Sequence, residues 1–241
     1  LEYSMLALAV QRDLVSIDVT NIRDYSHDPH HTADDYQFGG GSGMILKPEP
    51  IFEAVEDVLS GYSEDRRSQI PVILLSPQGQ ALNQEMAREL ANYPALVLIC
   101  GHYAGVDERV RQNLSTHEIS IGDYVLTGGE LAALVLMDVV ARFAPGVVGS
   151  SDNLEGDSIT SGLLQHPLYT RPAEYRDMAV PEILRSGHHA EIDLWRRRQA
   201  LSRTLALRPD LLARADLSNS DLDYLQSLGY QPDRTPSGEG D

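Results

Sequence analysis

The sequence predicts an α/β fold built on a parallel sheet, followed by a mostly helical region, and three observations carry that expectation. Short apolar runs stand at 71–75 (PVILL), 95–100 (ALVLIC) and 118–121 (EISI). Each run is closed by a loop containing glycine. Each loop is followed by a stretch that reads as a helix. Strands alternating with helices imply a parallel sheet with helices on both faces.

The elements follow in chain order. Residues 15–19 (VSIDV) alternate like a strand, and 51–59 read as a helix. Between them, 27–44 form a loop rich in His, Asp and Gly. After the strand at 71–75, Ser76-Pro77-Gln78-Gly79 breaks the run, and 80–92 read as a helix with Leu82, Met86 and Leu90 on one face. The strand at 95–100 ends at Gly101 and is followed by a short polar helix over 106–113. The strand at 118–121 ends at Gly122. An apolar helix over 130–143 is opened by Gly128-Gly129 and stopped by Pro145-Gly146. Residues 146–170 lack periodicity and read as a linker. Residues 181–227 read as mostly helical, with Trp195, Leu201, Leu205 and Leu207 as core, and 231–241 as a frayed tail.

Composition narrows the class. The single cysteine, Cys100, excludes an internal disulfide framework. No apolar stretch reaches the ~20 residues of a membrane span. The first residues lack the order of a signal peptide, so a cytoplasmic location is expected. A net charge of −17 argues against a uniformly basic nucleic-acid binder, but the charge is uneven. Residues 171–214 hold 9 of the 18 arginines against 6 acids, and Lys47 is the only lysine. A local basic patch can grip phosphate on an acidic protein, because charges are screened beyond ~8 Å at physiological salt. On charge alone, a solvated helix face is the commoner meaning of such a stretch.

In open α/β sheets, ligands bind outside the carboxyl ends of the strands. Here that edge carries three glycine-containing loops, 76–79, 101–105 and 122–129. None matches G-x-G-x-x-G or G-x-x-x-x-G-K-[ST], which argues against dinucleotide and P-loop chemistry. An adenosine ligand without phosphates remains compatible with apolar, backbone-lined loops. The loop from His27 to Asp35 gathers imidazoles and carboxylates that suit a divalent metal. Its spacing matches no standard motif, and a polar loop pinned by Asx-type hydrogen bonds is the preferred account; a metal-dependent hydrolase is the alternative.

The strings LLSPQGQ, CGHYAGVDERV, SIGDYVLTGGELAA, RFAPGVVG, GDS, GLLQHPLYTRP and the late WRRRQ resemble, in order, the bacterial tRNA (guanine-N1)-methyltransferases of the SPOUT class. The resemblance runs from about residue 24 to about 212. It implies a deep trefoil knot in the N-terminal domain, S-adenosylmethionine as cofactor, a homodimer, and a helical C-terminal domain that helps hold tRNA. It leaves a magnesium requirement open, and it divides the chain into 1–149, a flexible linker 150–170, and 171–241. By position, Leu75, Ser76, Pro77, Gly79, Gly101, Tyr103, Gly105, Ile121, Gly122, Tyr124, Leu126, Gly128 and Gly129 match the family's cofactor pocket. Asp157 falls at the general base and Arg142 at an arginine beside the reacting base. Asp34 matches an acidic position linked to tRNA binding, and Arg196, Arg197 and Arg198 are the expected phosphate contacts.

The sequence departs from the family pattern at three positions. Ser42 replaces the proline of GGGPGM, and His102 and Ala104 replace Arg and Glu of GRYEG. Loss of that glutamate bears on rate more than on fold. Family members also carry a short apolar strand ahead of the position of Leu1. The implied chemistry is methyl transfer to N1 of the guanosine 3′ of the anticodon, tRNA position 37. Asp157 removes the N1 proton and Arg142 balances the charge that grows on O6. The alternative is a weakened or non-catalytic relative that binds RNA.

Overall fold

The structure, a computed structural model, describes residues 5–148, 158–159 and 162–231. The chain divides into two compact units, Leu1–Gly149 and Ser150–Asp241.

At the centre of the first unit, β3 (Val72–Ala81) pairs in parallel with β4 (Val97–Cys100) on one side and β5 (His117–Ser120) on the other. Successive strand side chains point to opposite faces, and here both faces are covered. Val72 and Leu74 pack with Ile99, with Ile51 and Val55 of α2 (Pro48–Ser60), and with Val110 of α5 (Glu108–Asn113). Ile73 and Leu75 pack with Ile119, with Leu90 of α4 (Gln84–Leu90), and with Ala132, Ala133 and Leu136 of α6 (Glu130–Ala141). A strand buried on both faces reads as an unbroken apolar run, which is why PVILL was legible. Around this sheet lie α1 (Met5–Gln11), the short α3 (Glu64–Arg67), and a hairpin of β1 (Asp34–Tyr36) and β2 (Met44–Leu46) that carries the glycine-rich loop.

Several expectations need correction. Residues 15–19 are not a strand, and Val19 is 93% exposed. Alternation suits a pleated surface, but a strand also needs a neighbour, and among the described residues these have none. The expected helix at 80–92 begins only at Gln84. β3 makes a four-residue excursion at 76–79 and then resumes, so that Leu75 and Gln80 both pair with Ile119. Asn83 sets the true start of α4 by accepting the Met86 N–H at 2.9 Å, a capping signal present in the sequence.

In the second unit, α7 (His189–Leu207), α8 (Pro209–Leu212) and α9 (Asn219–Ser227) enclose Leu163, Ala200, Leu201, Leu212 and Leu225. Ser218 and Asp221 close a capping box on α9. Leu207 is not core; it is exposed in the last turn before Pro209, and Trp195 is only half-buried. A small hairpin, β6 (Glu174–Tyr175) and β7 (Met178–Ala179), precedes the helices, turning on Arg176 and Asp177 in left-handed conformation. The tail from 232 onward lies outside the described residues.

Candidate active site

Parallel pairing brings the three loops to one edge of the sheet. There they enclose a cleft of about 340 Å³, within the usual size range of small-ligand sites. Of the thirteen pocket residues expected from sequence, Leu75, Ser76, Pro77, Gly101, Tyr103, Gly105, Ile121, Gly122, Tyr124, Leu126, Gly128 and Gly129 line it. Gly79 does not. A Cβ there would stand 2.5 Å from the backbone of Glu118 and Ile119, so Gly79 lets the 76–79 excursion lie against β5. Gly129 has the same kind of role. Its N–H donates to Gly101 O at 2.8 Å, and a Cβ would stand 2.7 Å from Cys100 Cα.

Charge at the cleft comes from residues the sequence did not single out. Glu108, Arg111 and Glu118 belong to the lining. Arg111 bridges the loops by donating to Gln78 Oε1 and lying 3.3 Å from Glu118. His102 Nε2 lies 2.6 Å from Glu130 Oε1, joining the loop after β4 to the first residue of α6. No local pattern announces either pairing, because the partners are distant in sequence. Burial, and then the Glu130 charge, push the neighbouring Cys100 thiol up to about 11, which keeps it an unreactive thiol at neutral pH.

The N-terminal loop reaches this edge. Ala104 N–H donates to Met44 O, and Leu46 N–H donates to Gly105 O. Asp34 is buried, with its carboxylate 3.7 Å from the Arg23 guanidinium. Arg23 in turn donates to His31 O and, at 3.4 Å, to the Tyr103 hydroxyl. Asp34 therefore positions Arg23 against a cleft residue. The His-rich loop is pinned by Asp28, which accepts from Ser26, His30 and Thr32. Desolvation alone would raise the Asp28 pKa; those hydrogen bonds outweigh it and hold the carboxyl well below its usual range. Among the described residues, no three potential metal ligands converge.

Arg142, half-buried, is the C-cap of α6. Gly129, at the cleft, is the N-cap of the same 12-residue helix. One chain thus holds the two roughly 20 Å apart at 1.5 Å per residue. Asp157 lies outside the described residues. The three expected phosphate-contact arginines are unlike one another. Arg196 is exposed beside Asp193 at 3.3 Å, and Arg198 lies over the Tyr224 ring at 5.2 Å. Arg197 donates to both carboxylate oxygens of Asp221, at 2.9 and 3.2 Å, and to Asp216 O. Its guanidinium is committed inside the unit.

A doubly covered parallel sheet with a glycine-lined cleft at its strand ends, and no phosphate-binding fingerprint, defines an α/β protein that takes a small ligand at that edge. Comparison with known proteins narrows this. The family model described as tRNA (Guanine-1)-methyltransferase TrmD matches residues 1–214, and the chain belongs to that family. It is 56% identical over 227 residues to the tRNA (guanine-N(1)-)-methyltransferase of Dehalococcoides mccartyi, covering 94% of this chain and 90% of that protein. It is 52% identical over 237 residues to the protein of the same name from Moorella thermoacetica, covering 98% and 94%. The Geotalea uraniireducens protein is 51% identical over 225 residues, covering 93% and 89%.

Proposed function

We propose that this protein transfers a methyl group from S-adenosylmethionine to N1 of the guanosine on the 3′ side of the tRNA anticodon, position 37. The observation that carries this is the strand-end cleft in a chain of this family. The cleft fits the methyl donor. Leu75, Ile121, Leu126 and Ala132 supply apolar wall for an adenosine, and the close approach of Gly129 to Cys100 and Gly101 keeps glycine backbone at the cleft wall. Glu108 and Glu118 outweigh Arg111 on the lining, which suits a cationic sulfonium. When bound, S-adenosylmethionine supplies an electrophilic methyl group.

The chain's own residues do the rest. Guanine N1 carries a proton and is a poor nucleophile until that proton is removed. Asp157 is the base that takes it, and the Arg142 guanidinium balances the charge that grows on O6. The target base is unstacked into the cleft, as other base-modifying enzymes require. Arg142 stands a helix length from the cleft of its own chain, so it reaches the base from a second copy. A homodimer also covers Leu131 and Val135, adjacent exposed apolar residues of α6. A trefoil knot in the 1–149 unit and a cytoplasmic location come with the family alone.

The deciding experiment is methyl transfer from labelled S-adenosylmethionine to tRNA transcripts with G or A 3′ of the anticodon. Label in the G transcript only is expected, with dimeric mass at micromolar protein. No transfer to either transcript overturns the assignment; an active monomer overturns the shared site.

A further inference from the structure

We infer that His102 and Glu130 are positioning residues for the methyl donor: their ion pair clasps two walls of the cleft together, so donor affinity falls as pH rises through the range where histidine loses its charge. This rests on S-adenosylmethionine being the ligand of the cleft. His102 lines the cleft, and Glu130 is the first residue of α6, directly after the lining residues Gly128 and Gly129. His102 Nε2 lies 2.6 Å from Glu130 Oε1, short enough for a charge-assisted hydrogen bond. Gly128 sits beneath the pair. It forms an isolated antiparallel bridge with His102, and a Cβ on it would stand 2.7 Å from His102 Nε2 and against Glu130 Oε2. The pair therefore crosses the Gly128 backbone and pins the loop after β4 to the loop ahead of α6. Gly101, Tyr103 and Gly105 of the one loop, and Gly122, Tyr124 and Leu126 of the other, line the cleft. Releasing the pair frees both walls.

Only one side of the pair has its charge fixed. The N-terminal end of α6 favours the Glu130 carboxylate. Histidine changes charge between about pH 5 and 8, whereas the arginine that the family pattern has at this position is charged throughout. The other titratable groups on the surrounding elements are Cys100 at the end of β4, Tyr103 beside His102, and Asp123 and Tyr124 on the loop ahead of α6. Cys100, at about 11, stays a thiol in this range. The Tyr103 ring lies 5.8 Å from that of His102, and its hydroxyl accepts from Arg23. Tyr124 donates its hydroxyl to Ile121 O. His102 is the one imidazole among the described lining residues. Raising the pH removes its proton, the ion pair is lost, the walls part and Kd rises. Both side chains are about half exposed, so the change is that of an exposed pair, ~3-fold in affinity.

The test is the calorimetric Kd of the full chain for S-adenosylmethionine from about pH 6 to about 8.5, the window in which histidine discharges. Across it the parental Kd should rise ~3-fold more than that of His102→Arg, whose guanidinium keeps its charge. The donor's own amino group titrates in the same window, and the comparison with His102→Arg removes its contribution. Glu130→Gln should follow the His102→Arg profile, and His102→Gln/Glu130→Gln should bind like either single variant. In turnover, the alkaline loss should appear in KM for the donor, while the rise assigned to Asp157 appears in kcat. The profile of kcat/KM is then bell-shaped, and Glu130→Gln should keep only its rising limb. Parallel Kd profiles in the parent and His102→Arg, or parental pH dependence in Glu130→Gln, would overturn the clasp while leaving methyl transfer intact. A parent that binds no S-adenosylmethionine at pH ~6, where histidine is charged, overturns the reading of the cleft itself.

Discussion

Gly129→Ala isolates what the close approach of two strand-end loops contributes to the cleft. Gly129 has ordinary right-handed helical backbone angles (φ −76°, ψ −9°), so alanine brings no backbone strain. The added Cβ would stand 2.7 Å from Cys100 Cα, 3.0 Å from Gly101 N and 3.2 Å from Cys100 C. Carbon atoms prefer about 3.5–4.0 Å, so the loops must part by roughly 1 Å. All three atoms are backbone and cannot turn aside. Overpacking of this kind costs about 1–3 kcal/mol, and the Gly129–Gly101 hydrogen bond, worth about 1 kcal/mol, stretches with it. The same displacement opens the cleft wall at Gly101, Gly128 and Gly129. Because 1.4 kcal/mol is tenfold in affinity, the Kd for S-adenosylmethionine should rise at least ~10-fold by calorimetry, with a lowered melting temperature. Gly61→Ala is the matched control. It has nearly the same backbone angles, and its Cβ would meet only Val58 O at 3.6 Å. That variant should bind like the parent and be as stable or slightly more so. If Gly129→Ala keeps parental affinity and melting temperature, close approach of the loops does not shape the cleft.

Arg197→Ala should destabilise the 150–241 unit by about 2–4 kcal/mol, because it leaves the buried Asp221 carboxylate without its charged partner; chemical denaturation reads this. Arg197, then the Ser218 hydrogen bonds, hold Asp221 at about 2, below its ordinary 3.8. The pair therefore stabilises the fold above pH ~4 and loses about 2 kcal/mol as pH falls from ~4 to ~2; the variant should lack that acid limb. Asp157→Asn should slow turnover ~10²-fold or more with unchanged S-adenosylmethionine affinity, and should lose the rise of rate with pH. The comparison is repeated in Ala104→Glu, expected to be the faster background; parental rates in both would remove Asp157 as the base. Arg142→Ala and Gly129→Ala, each impaired alone, should regain methyl transfer when co-expressed, since one chain then offers the cleft and the other the arginine. Activity no greater than that of the two variants measured separately would place both on one chain.

Local patterns carried much of the fold. The doubly buried strands announced themselves as apolar runs, and glycine marked the loop after each one. The helix of α2 was visible from its spacing, and Asn83 and Ser218 carried capping signals for α4 and α9. Where a pattern depended on a neighbour, the expectation failed. VSIDV has strand alternation and no partner among the described residues, and Leu207 has core chemistry at an exposed helix end. The break at 76–79 was visible, but the resumption of β3 at Gln80 was not, because it depends on β5, some forty residues later.

The sequence by itself determined the strand-end loops, the glycines within them, and the family, because these rest on residue type and order along the chain. Only the tertiary structure decided which charges meet. It paired His102 with Glu130 and Arg111 with Glu118, set Asp34 behind Arg23, and tied Arg197 to Asp221. It also put Arg142 a helix length from the cleft. The physical reason is range. Propensity, capping and periodicity act over a few residues, whereas an ion pair or a cleft wall depends on where packing brings distant segments together.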